Sequence, residues 1–389
     1  MSLPWMWGAY STTAGDAEVN YPSLWGGGWT WQPAGSGPGT QFYWQTTAAP
    51  TDRTGEPEIS IAIGGVPVRH TVRSAGWQLG RSEWLSVLQP GGASFEVEGP
   101  VTGSVMDTVV IGVLSDTTDQ HSAPLWCGYV DDISTTTDAS GRVTTSVSCV
   151  DVVGRLGQAD TPASFPSVST TLAGYLEAVV EQAGTQLVVI DDSVLSGDSG
   201  SLFSFQDDET VLGFLNRSEQ ADNYNLFLRG DGKLALQRRW YQDSPDLDPA
   251  PDAVSLTGAD APTRWTVRDS PTTVFNDLPA NYASTAAQAA SQLAYGRRSY
   301  GAPTEDYDGW DQMLGTGILN GPRPLLAGAD LPVTDLSHPA LFLDPGDWAV
   351  VDGTTYQVLS VSHQVEPGRR WSVSITGDST QPLLHQEYS

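Results

Sequence analysis

Residues 343–376, LDPGDWAVVDGTTYQVLSVSHQVEPGRRWSVSIT, gather three aspartates and a histidine. Asp344, Asp347, Asp352 and His363 are side-chain types that perform general acid–base chemistry, which needs a base in reach of a proton and a partner to orient it. Their spacing points elsewhere. Asp352-Gly353 and Glu366-Pro367-Gly368 are turn sequences, in which Asp and Gly serve the backbone. His363 shares a strand face with Val361 and Val365, as a structural histidine does. The stretch therefore predicts a three-strand meander over 348–351, 356–365 and 371–375, with its acids at turns and no catalytic pair.

Gly197-Asp198-Ser199-Gly200-Ser201 is close to the nucleophile loop of chymotrypsin-like proteases, where the serine needs a histidine base and a buried carboxylate. His70 and His121 lie upstream but lack the surroundings of that base, and the motif falls between a β-run and a helix. It reads as a Gly/Ser loop, and a serine hydrolase is the least favoured function. The acid pairs Asp131-Asp132, Asp191-Asp192 and Asp207-Asp208-Glu209 suggest a glycosidase only superficially, because adjacent acids on a strand face opposite ways and those before a helix cap it. Arg229-Gly230-Asp231 is explained by a hairpin turn. No Walker loop, dinucleotide fingerprint or His-rich metal spacing occurs, so no cofactor, metal or catalytic residue is expected.

The chain of 389 residues has room for two or three domains. Cys127 and Cys149 are too few for a disulfide framework, and reduced thiols in antiparallel strands are expected in preference to a single bridge. Residues 1–5 begin no signal peptide, and no apolar run approaches the ~20 residues that cross a bilayer. A soluble protein made in the cytoplasm, without membrane insertion, is expected. With 18 basic and 46 acidic residues the net charge is −28, which repels phosphate backbones and argues against classical nucleic-acid binding. Lys233 is the only lysine.

The organisation is mainly β with an α+β insertion. Residues 1–56 form a Trp/Gly-rich arm in which Trp5, Trp7, Trp25, Trp29, Trp31 and Trp44 sit among Gly and Pro. These rings are candidate subunit-interface aromatics; packing on their own core weighs equally, and sugar stacking less. Residues 57–162 read as a first antiparallel β-barrel module, with strands at 59–63, 94–98, 108–114, 125–133 and 143–152. Residues 163–245 carry an amphipathic helix over 172–180 stopped at Gly184, a helix capped by Asp207 or Asp208, and a hairpin around 229–232. A linker over 246–262 precedes a second β module at 263–380, with an irregular insertion at 283–335 and a tail at 381–389. The two modules echo each other in their closing strand-turn-strand runs.

In order and spacing, LWCGYVDDISTTTDASGRVTTSVSCVDVVGRL, TLAGYLEAVVEQAG, FSFQDDETVLGFLNRSEQADNYNLFLRGDGKLAL, VFNDLPANY, YGRRSYGAPT and the closing meander resemble the tail hub family of tailed bacteriophages, over about residues 57–379. That family comprises baseplate hubs and tail-tip hubs, also called minor tail proteins. The resemblance implies a structural virion protein, assembled in the host cytoplasm and sited at the tail tip. It implies a homotrimer with two similar β-barrel modules per chain, joining a six-fold tail tube or distal tail ring to a three-fold tip. Distal tail or tail tube protein, tape measure protein and other tip or receptor-binding proteins are the implied partners, with DNA passing unbound. A hexameric distal tail protein and a carbohydrate-binding adhesin are the alternatives.

Overall fold

The structure, a computed structural model, describes residues 57–82, 86–114, 122–161, 172–189, 208–221, 224–238, 253–270, 286–297, 323–366 and 370–379. Period-two alternation builds the first module. Its strands are β1 (Ile59–Ile63), β2 (Val66–Pro67), β3 (Val72–Gly80), β4 (Gly92–Glu98), β5 (Thr108–Leu114), β6 (Ser122–Thr137) and β7 (Val143–Asp151), in the spatial order β3-β4-β7-β6-β5-β1-β2. The β6–β7 hairpin turns where the sequence places it: the Asp138 carboxylate accepts from the Ser140 and Arg142 amides at 2.8 and 3.0 Å, and Gly141 takes φ +83.

Asp151 then caps the short helix α1 (Val152–Leu156). Helix α2 (Leu172–Gln182) buries Leu176, Val179 and Val180 and is followed by Gly184 at φ +87. Helix α3 (Val211–Ala221) is capped by Thr210, whose hydroxyl accepts from the Gly213 amide at 3.1 Å, so the cap lies beyond the expected Asp207 or Asp208. The expected hairpin is β9 (Tyr224–Leu228) with β10 (Leu234–Arg238), and β8 (Leu187–Val189) pairs parallel to β10.

The second module contains β11 (Val254–Leu256), β12 (Arg264–Ser270), β13 (Arg323–Val333), β14 (Trp348–Val351), β15 (Thr354–Glu366) and β16 (Arg370–Asp378). Two expectations are corrected here. The span 246–262 is more than a linker, because Val254–Leu256 pairs parallel to β14 and Leu256 is buried. The insertion at 283–335 is not wholly irregular: its alanines form helix α4 (Ala286–Tyr295), and Arg323–Val333 is a central strand despite two prolines. Among the described residues, no helix is long and apolar enough to cross a membrane.

The two modules share one wiring scheme. β12-β13-β16-β15-β14 repeats the spatial order β3-β4-β7-β6-β5, and every neighbour in both runs is antiparallel. Both long hairpins carry a β-bulge at the same place: Val130 faces Cys149 and Asp132 faces Ser148, as Val358 faces Gly377 and Ser360 faces Thr376. Val130 and Val358, like Cys149 and Gly377, lie 228 positions apart (358 − 130, 377 − 149), so the hairpins coincide residue for residue. The modules do not close separately. Ser360–Val365 of β15 pairs antiparallel with Ala75–Gly80 of β3, beyond the part of β15 that β14 occupies. One mainly antiparallel sheet of thirteen strands results, curled into a half-barrel.

Candidate functional site

The turn before β14 brings Asp344 and Asp347 together. The Asp347 carboxylate accepts from the Asp344 amide at 2.8 Å, and the Gly346 amide and Asp347 carbonyl bracket Val358, each at 2.8 Å. The first module contains the same turn. There the Asp107 carboxylate accepts from the Ser104 amide at 2.7 Å, and the Met106 amide and Asp107 carbonyl bracket Val130 at 2.8 and 2.9 Å. Asp347 is therefore a turn residue with a counterpart, and Asp352, at φ 49 ahead of Gly353 at φ 76, turns β14 into β15.

Asp344 does something its counterpart Ser104 cannot. It accepts from the Gly230 amide at 2.7 Å and pairs with the Arg229 guanidinium at 3.1 Å, while Asp347 lies 3.7 Å from the same guanidinium. The turn of the β9–β10 hairpin is pressed on β6: a Cβ on Gly230 would come within 2.7 Å of the Leu125 carbonyl, and one on Gly232 within 2.9 Å of Cys127 Cβ. Three parts of the chain thus meet at one charged joint. Burial pushes Asp344 up to about 7 against the pull of Arg229, and raises Asp347 as well. Burial, helped by the Asp231 and Asp344 charges, also raises the Cys127 thiol.

His363 lies in a different place, on the β3–β15 seam. Its ring stacks on Trp77 with centroids 4.7 Å apart, and its Nδ1 accepts from Trp371 Nε1 at 3.2 Å. Burial lowers it to about 3, so it stays neutral and packs as an aromatic. The structure does not bring His363 to the three aspartates as an acid–base pair.

Sequence reasoning missed Arg81, just past β3. Its guanidinium is buried against Glu219 of α3, donates to Asn225 Oδ1 at 3.1 Å and to the Ser86 carbonyl at 2.8 Å, and lies 4.9 Å from the Phe227 ring centroid. It holds the helix-hairpin insertion on the first module. An arginine between Gly80 and Ser82 offers no local sign of a partner 138 positions away.

Cys127 and Cys149 are both free, as expected, and burial raises Cys149 to about 12. Among the described residues no group of three or more His, Cys, Asp or Glu side chains is placed to hold a metal ion. Trp5, Trp7, Trp25, Trp29, Trp31, Trp44 and Ser199 lie outside the described residues.

No family model and no curated protein matches the sequence. Among solved structures, the chain superposes on the 43 kDa tail protein of prophage MuSo2 from Shewanella oneidensis with a TM-score of 0.57 and 15% identity, over 85% of this chain and 99% of that one. The tail protein from Neisseria meningitidis MC58 gives a TM-score of 0.54 and 12% identity, over 84% and 97%. The fold is that of phage tail proteins.

Proposed function

We propose that the chain is a structural hub of a phage tail tip or baseplate. Three copies supply six modules to a ring that joins a six-fold tail tube or distal tail ring to a three-fold tip. The supporting observation is the repeated module, since a pseudo-six-fold ring of three chains requires each chain to offer nearly the same surface twice. A hexameric distal tail protein needs only one such module per chain. The net charge of −28 suits a channel through which DNA passes without sticking. The role is scaffolding rather than catalysis, with tape measure and other tip proteins as further neighbours.

The test is the mass of the purified chain at micromolar concentration with negative-stain images, alone and with tail tube or distal tail protein. A trimer with a central pore supports the hub. A chain that stays monomeric with both partners sinks it, and labelling of Ser199 by a fluorophosphonate probe would remove the purely structural reading.

A further inference from the structure

The seam inside the chain has a second, unfilled copy. β15 is paired along one side by β14 and then β3; its counterpart β6 is paired on that side by β5 through Tyr129 and is open beyond the Asp107–Val130 bond. β12, the counterpart of β3, pairs only with β13. Ser74 and Arg264 face equivalent residues of β4 and β13, Glu96 and Asp330, as do Ala75 and Trp265, so β12 follows β3 at a spacing of 190 (264 − 74, 265 − 75). Among the described residues, both open edges lack a neighbour.

We infer that β12 of one copy pairs antiparallel with the open end of β6 in the next, in the register of the internal seam. Subtracting 228 from β15 and adding 190 to β3 places Ile133 opposite Asp269, Ser134 opposite Arg268, Thr135 opposite Val267, Thr136 opposite Thr266 and Thr137 opposite Trp265.

Burial supports this assignment. Ala75, Trp77 and Leu79 are each 3% exposed, whereas Trp265 and Val267, at the positions of Ala75 and Trp77, are 43% and 44% exposed. An apolar face buried in one repeat and bare in the other is a face waiting for its partner. The β6 edge is equally receptive: Ser134-Thr135-Thr136-Thr137 is exposed, favours extended backbone, and carries neither the lysine nor the proline that blunts a sheet edge. In this register Arg268, opposite Ser134, lies diagonal to Asp132 on the same face, a favourable cross-strand charge pair. Because the two edges differ, the contact is head-to-tail, and such contacts build closed rings when the rotation closes. The number of copies rests on the hub proposal; the seam does not.

The experiment is a Thr135→Cys/Val267→Cys double variant at micromolar concentration under mild oxidation, resolved on non-reducing denaturing gels. Both positions are exposed. Covalent oligomers are expected, and a mixture of the two single variants should stop at a linked dimer. Ser134→Cys/Val267→Cys, with side chains on opposite faces, should stay unlinked. Absence of the Thr135–Val267 link overturns the seam, whatever the mass in solution. A ladder ending at three copies supports seam and trimer together. A ladder ending elsewhere keeps the seam and removes the trimer, and an unlinked trimer does the reverse.

Discussion

The two β modules are wired alike and differ wherever they meet something else. Arg81 follows β3 and anchors the helix-hairpin insertion; the position 190 further on is Pro271, which can make no such bond. Asp344 reaches Arg229, while its counterpart Ser104 only completes a turn. Met106 takes φ 73 where the second module has Gly346 at φ 95, and a Cβ on Gly346 would lie 3.0 Å from the Phe227 ring. β1 lies antiparallel on β5, but β11 lies parallel on β14. The ladder and its bulge are retained because a one-residue slip would turn every core residue to the wrong face. Side chains diverge at the joints, where each module has its own neighbour.

The largest test of this contrast is Arg81→Met. It strands the buried Glu219 carboxylate and should cost about 3–5 kcal/mol in denaturant unfolding, with part of the loss recovered by adding Glu219→Gln. A loss below about 1 kcal/mol would mean the insertion does not depend on the first module. Trp77→Ala should cost about 3–5 kcal/mol because it opens a cavity between His363 and Trp371. In the isolated chain, Val267→Ala at the matching position should stay within ~0.5 kcal/mol; equal losses would erase the distinction between filled and open seam.

Exchanging the turn residues should act in opposite directions. Gly346→Met forces a left-handed side chain against Phe227 and should cost about 2–4 kcal/mol, whereas Met106→Gly relieves a left-handed residue and should gain up to about 1 kcal/mol. Thermal melts of the pair would read both signs. The last contrast is in pH dependence and is read as a slope. His363 stays neutral in the fold down to about 3 but takes a proton near its ordinary 6.5 when unfolded. The unfolded chain then binds more protons, so stability falls as pH drops from about 6.5 towards 3, by up to about 1.4 kcal/mol per unit. His363→Gln should flatten that slope in pH-dependent unfolding, and the counterpart Thr135 contributes nothing to it.

Local signals explain what was legible in the sequence. The 138–141 turn, the helix ahead of Gly184, the 229–232 hairpin and the closing meander each rest on residues within a few positions of one another. The echo between modules was visible only as a pattern, because Thr, Ser and Val serve a strand equally well and identities drift while register holds. β3 was missed although Ala75, Trp77 and Leu79 alternate along it: Gly, Ser, Arg and Gln separate them in Val72–Gly80, and β4 on one side and β15 on the other fix it as a strand. β13 was hidden by Pro324, Pro332 and Gly328, which a strand tolerates here beside an irregular register. Asp347 and Asp352 sit at turns, as their spacing suggests, but the bond of Asp344 to Arg229 joins residues far apart in the chain and leaves no local trace.

The internal seam also sets a timetable. Gly80 and Ser360 are partners in the sheet but are synthesised 280 residues apart (360 − 80). At ~5–20 residues per second, β3 waits roughly 15–60 s on the ribosome with one side unpaired. During that interval the β15 of a neighbouring chain whose own seam has not yet closed can pair with it, exchanging strands between chains. Crowded translation of one message therefore favours swapped, tangled assemblies, and slower initiation should raise the yield of correctly closed chains.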